Sequence, residues 1–296
     1  MVLILQLNPP MYQQKLSKLI FLILVGVSKF AYADSVRAVD PHLYALEKNG
    51  SVSYVLGTIH VGVDISEMPD FVTNALKEKP IFASEALDSE RKPKGEDRFS
   101  LLSLETQRLL QLRGMTKEDF NTYRPEAVCM AYLYWDFLDK NPDNGEVMDW
   151  QFDRLAKGAH KELRELDVSD ALIDEAVEQL FSPCGIEAFV EKYPPLAVGP
   201  MVKESMQPSN DEYKYGGEIS LNNGTNAEES TLKRNELWVP LLMDMHAKGL
   251  FAVVGAGHLD PYNPRGLLSL LKKNGFQVTR ISDRKTYLEV SSRYQN

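Results

Sequence analysis

Two short β-type runs in this chain each end by setting a histidine three residues after a glycine. Ser53-Tyr54-Val55-Leu56 leads into Gly57-Thr58-Ile59-His60, and Phe251-Ala252-Val253-Val254 leads into Gly255-Ala256-Gly257-His258. Neutral imidazole ligates Zn, Mn or Co, and it is also a general base near neutral pH. The small residues around each histidine permit a sharp turn and close approach of a ligand. A single Gly-x-x-His is a weak signal, because a hydrogen-bonded histidine at a strand end explains it equally well. Two in the same context, in a chain with five histidines, point to function.

Glu85 is the next candidate. It interrupts the apolar run Ile81-Phe82-Ala83, and a buried carboxylate is costly unless it is paired or bound to a metal. Asp167 follows Leu163 and Leu166 and reads as an acid emerging at a sheet end. Asp149 precedes a helical stretch and could act at the site or only cap that helix. Arg234, near the start of a later helix, could bind a substrate carboxylate or an oxyanion; a solvated helix charge is the plain alternative. His42, His160 and His246 lack such a context, and surface or capping roles suit them. No Gly-x-Ser-x-Gly elbow, phosphate-binding Gly-x-x-x-x-Gly-Lys loop or His-Glu-x-x-His helix occurs, so the reactions those motifs serve lack support.

These residues need elements to position them. Residues 43–47 and 52–56 flank Asn49-Gly50, a hairpin signal. A helix is expected from about Asp70 to Lys79, then a strand from Ile81 to Asp88. The second motif repeats the order: strand, Gly-x-x-His, loop, a helix at about 265–273, and a strand from Phe276. The fold expected is therefore α/β, with a mixed sheet, two matched strand–Gly-x-x-His–loop–helix–strand units and a helical middle region. In such sheets ligands lie beyond the carboxyl ends of the strands. Within the middle region, 163–168 reads as a short buried strand and 170–181 as an amphipathic helix. The polar stretch at about 204–230 reads as a long exposed loop, with a helix resuming near Thr231.

Residues 1–33 read as a signal peptide. Lys15 and Lys18 form a basic start, 19–27 is apolar, and Ala31-Tyr32-Ala33 is a small-x-small cleavage site. The apolar run is too short for a stable membrane span. Export to the periplasm or the medium is expected, followed by a single domain over 34–296. The net charge is −9, and three basic residues but no acid lie in the first 33 positions. Removing them makes the chain more acidic, which disfavours nucleic acid as a partner. Cys129 and Cys184 could pair in an oxidising compartment or remain two buried thiols.

Together these motifs resemble the TraB/PrgY/GumN family, related to the Tiki metalloproteases and more distantly to erythromycin esterase and ChaN-like proteins. The resemblance extends over about 43–282. Tyr54-Val55-Leu56-Gly57-Thr58-Ile59-His60 and Val253-Val254-Gly255-Ala256-Gly257-His258-Leu259 carry it, with Glu85, Met148-Asp149, Arg234-Asn235 and the 266–278 helix and strand in support. Asp167 stands where the family pattern has a Glu, and 204–230 departs from typical members. The resemblance implies one crevice and metal-dependent hydrolysis of a peptide or small-molecule substrate. His60, Glu85 and His258 would hold a divalent ion (Mn, Co or Zn). Asp149 or Asp167 would orient a ligand or act as base, and Arg234 would hold substrate or a developing oxyanion. Two alternatives remain open: metal-free ester hydrolysis, and non-catalytic binding of haem or a peptide.

Overall fold

A computed structural model describes residues 39–59, 63–85, 97–122, 128–136, 147–167, 185–217 and 226–294. All of these fall within one compact unit, Ala38–Asn296. The expected signal peptide, His60, the 170–181 helix and Cys184 lie outside the described residues.

The chain opens with a hairpin, β1 (His42–Lys48) and β2 (Ser51–Thr58), paired antiparallel with Lys48 opposite Ser51. Asn49 and Gly50 both take positive φ, 52° and 75°, the backbone whose twist matches the flanking strands. Next come α1 (Asp70–Glu78) and β3 (Ile81–Ser84). Helix α1 buries Phe71, Val72, Ala75 and Leu76, spaced as one helical face. The middle holds α2 (Leu104–Leu112), α3 (Lys117–Thr122), α4 (Val128–Leu133), α5 (Met148–Gly158) and β4 (Glu162–Glu165). Then follow α6 (Ile186–Lys192), α7 (Pro195–Lys214), α8 (Asn226–His246), β5 (Leu250–Gly255), α9 (Leu267–Lys273), β6 (Gln277–Ile281) and α10 (Arg284–Ser292).

The six strands form one mixed sheet in the order β4-β3-β5-β2-β1-β6. Neighbours from β4 to β2 run parallel, and β1 is antiparallel to both β2 and β6. Thr58 at the end of β2 lies beside Gly255 at the end of β5. One face packs Tyr54, Leu56, Phe82 and Phe251 against α1, α5 and α10. The other packs Val55, Ala83, Ala252 and Val254 against α8 and α9. A third apolar cluster, built by α2 to α4, α6 and the first half of α7, stands apart from the sheet.

Four sequence expectations need correction. β4 is an edge strand, exposed or half-exposed along its length, because only β3 covers one of its sides; the buried residues are the next two, Leu166 and Asp167. The 81–88 strand ends at Ser84, so Glu85 stands just past it. The 204–230 stretch is helical over 204–214 and again from Asn226, with 218–225 outside the described residues. Its polarity belongs to the exposed side of α7, which is anchored by buried Val198, Val202 and Tyr213. His42 and His246 are buried rather than on the surface; the His246 ring contacts the Ser53 hydroxyl at 2.9 Å and the Lys48 carbonyl at 3.1 Å.

Candidate functional site

Four adjacent parallel strands end at one place and contribute Asp167, Glu85, Gly255 and Thr58 in sheet order. The β3–β4 pairing continues past both strands, with Leu166 N–H donating to the Ser84 carbonyl at 2.8 Å and Asp167 N–H to that of Glu85 at 3.0 Å. The two acids are thereby carried forward side by side. After β5 the chain makes a tight 3-10 turn, Ala256–Leu259, that buries His258. Gly57 makes room for this turn. A Cβ there would lie 2.8 Å from Leu259 Cδ1 and 3.0 Å from Ala256 Cα.

Helix α8 crosses behind this edge and presents Arg234, Asn235 and Trp238. The Arg234 guanidinium donates to Asp167 through Nε (3.1 Å) and Nη2 (2.6 Å), and through Nη2 also to Glu85 Oε2 (2.6 Å). It lies 4.7 Å over the Trp238 ring. Trp238 Nε1 donates to Asp167 Oδ1 at 2.9 Å, and the Gly255 N–H donates to Glu85 Oε1. Burial pushes the Asp167 carboxyl above its usual range, and the Arg234 guanidinium pulls it back. Burial works against charge on Arg234, but Glu85 and Asp167 outweigh it and hold the guanidinium protonated. Arg234 thus serves as the internal counter-ion of two carboxylates.

Asn235 fixes His258. Its Nδ2 donates to the carbonyls of Arg265 (3.1 Å) and His258 (3.5 Å), which turns Oδ1 toward His258 Nδ1 at 2.6 Å. The proton of the neutral ring therefore sits on Nδ1, and Nε2 keeps its lone pair. Nε2 lies 3.5 Å from Glu85 Oε1 and 3.4 Å from Arg234 Nη1. Trp238 packs on the ring at a centroid distance of 4.3 Å, so its position is set on two sides.

One strand over, the Thr58 hydroxyl contacts Asp149, in the first turn of α5, and lies 3.2 Å from the Val254 carbonyl. Beside it, Tyr213 donates its hydroxyl to the Gly57 carbonyl at 2.6 Å. Burial, with Asp149 adding to it, raises the pKa of this phenol.

Glu85, Asp167, Arg234 and His258 therefore meet, and Asp149 joins through Thr58; His60 lies outside the described residues. Sequence reasoning gave no role to Asn235, Trp238, Thr58 or Tyr213, and Asn235 entered only through the Arg234-Asn235 pair of the resemblance. The first two carry a faint signal, since Arg234, Asn235 and Trp238 share a helical face by the i,i+3/i+4 rule. The donor set fits a divalent cation in two respects. An imidazole whose Nδ1–H is held by an amide oxygen has the outer support of a metal ligand, and His258 Nε2 would exchange its contact with Arg234 Nη1 for the ion. The three carboxylates also exceed the single guanidinium in charge. Among the described residues no three His, Cys, Asp or Glu side chains have ligand spacing.

Residues 222–280 match the model of the TraB/PrgY/gumN family. That segment runs from the start of α8 into β6 and contains Arg234, Asn235, Trp238, Gly255 and His258. Glu85, Asp149 and Asp167 come from outside the TraB/PrgY/gumN match; the sheet delivers Glu85 and Asp167 to it, and helix α5 delivers Asp149. No curated protein sequence and no solved structure matches the chain.

Proposed function

We propose that this chain is an exported metal-dependent hydrolase with peptide bonds as its substrate class. The observation that carries the reading is His258, its Nδ1 locked by Asn235 and its Nε2 aimed at Glu85. His258 Nε2, Glu85 and His60 would hold a divalent ion (Mn, Co or Zn), which when bound supplies Lewis acidity and lowers the pKa of water at the site. Arg234 keeps Glu85 oriented. Asp149, engaged by Thr58, or Asp167 would orient a ligand or act as base. The family match and the strand-end placement support a reaction site here. Export is supported by the basic and apolar residues of 1–33 and by Cys129, which is disulfide-bonded. Among the described residues no helix is long and apolar enough to cross a membrane.

One observation favours a second reading. The Arg234 cation stands 3.4 Å from His258 Nε2, a poor neighbour for a second cation. In a metal-free esterase, His258 would be the general base and Arg234 would stabilise the developing oxyanion. Metal analysis of the purified protein, beside His60→Ala and His258→Ala, separates the two. Near-stoichiometric Mn, Co, Zn or Fe that is lost in both variants is the expected result. If no ion binds after loading with each metal in turn, the metallohydrolase reading falls and the esterase reading replaces it.

A further inference from the structure

We propose that Tyr213 is a positioning residue that holds the end of β2 in the geometry from which the first Gly-x-x-His motif departs. The inference rests on the hydrolase reading only for its effect on metal affinity.

Tyr213 sits near the end of α7, 3% exposed, inside the apolar cluster on the α1/α5 face of the sheet. Its hydroxyl reaches 2.6 Å to the Gly57 carbonyl and 3.5 Å to the sulfur of Met148, the residue before Asp149. Gly57 occupies the last rung of the β1–β2 ladder, opposite His42. A phenylalanine would fill the same volume, so packing alone does not account for the hydroxyl. The peptide unit is planar, and pinning the Gly57 oxygen also pins the Thr58 nitrogen and the direction of the Thr58 side chain. That side chain meets Asp149 and the Val254 carbonyl. Gly57 is already pressed by the turn that carries His258. Tyr213 thus fixes, from the opposite side, the one peptide plane that adjoins Asp149, the His258 turn and the start of the segment leading to His60.

The test compares Tyr213→Phe with Tyr287→Phe, which removes a buried hydroxyl from the same apolar cluster without touching Gly57. Amide hydrogen exchange is read over residues 57–62, and Zn2+ affinity is measured by titration with the metal alone. Tyr213→Phe is expected to speed exchange over 57–62 about tenfold and to weaken Zn2+ binding about tenfold, the lower end for loss of an outer support. Tyr287→Phe should alter neither. Equal exchange over 57–62 in the two variants overturns the proposal. If the wild type binds no Zn2+ and Tyr213→Phe still speeds that exchange, the positioning role stands without zinc at the site. Should Tyr213→Phe not fold, the wild type decides by NMR. A slowly exchanging Tyr213 hydroxyl proton, close in space to the Thr58 amide, supports the role, and its absence overturns it.

Discussion

His42 shows how a single buried ring couples this fold to pH. It lies 3% exposed beside Tyr213, and its Nε2 has no hydrogen-bond partner among the described residues. Burial, with Arg280 nearby, lowers its pKa from 6.5 to about 4. The unfolded chain therefore binds a proton at this residue near pH 6.5, and the folded chain only near pH 4. Between those values the unfolded state binds more protons, so stability falls as pH falls. The contribution is complete above pH 6.5 and is lost on going down to about pH 4. A shift of that size corresponds to roughly 3 to 3.5 kcal/mol. Urea midpoints measured from pH 7 to pH 4.5 should decline in the wild type and decline less in His42→Phe. His246, also lowered mainly by burial, carries a remainder. Parallel declines in both proteins would assign the acid sensitivity elsewhere.

At the scale of elements, Arg234 ties α8 to the ends of β3 and β4 through Glu85 and Asp167, and all three side chains are nearly buried. Removing one partner of such a knot leaves charge uncompensated. Arg234→Met should cost about 3–5 kcal/mol, read as a lower denaturation midpoint. Arg234→Lys should recover part of the loss, because it restores the charge without the planar fork. A midpoint for Arg234→Met close to wild type would show that the carboxylates are held by other groups. Much at this scale was legible beforehand. Asn49-Gly50 marked the hairpin, Phe71, Ala75 and Leu76 marked α1, and the 251–281 unit appeared in its observed order, because these are local patterns of period and turn. The strand order was not legible, since nothing local says that β5 inserts between β2 and β3. Helix α7 hid behind its polar exposed side, and the part Asn235 plays was hidden because its partner His258 lies on another element.

At the scale of the molecule, the sheet with its two apolar faces stands beside the helical cluster of α2 to α4 and α6, and α7 belongs to both. Val198 and Val202 pack in the helical cluster, and Tyr213 packs against the sheet. Cys129 in α4 is disulfide-bonded, and the chain has one other cysteine, Cys184. A pairing of the two would close a long loop, which stabilises by about 4 kcal/mol on the chain-entropy estimate. Reduction, or Cys129→Ser, should therefore lower the melting temperature; an unchanged value would mean that the helical cluster is held by its apolar contacts alone. The position of β5 has a consequence for when the site comes into being. Until residues 250–255 have been synthesised, β1 and β2 can form a hairpin and β3 and β4 can pair, but each half presents an open edge with nothing between them. The strand that joins them is also the one that carries His258. Its contacts are among the most distant along the chain, and such contacts form late and slowly. An emerging chain thus holds Glu85 and Asp167 on one piece and Thr58 on another, unjoined, and it acquires a reaction centre only in the step that closes the sheet.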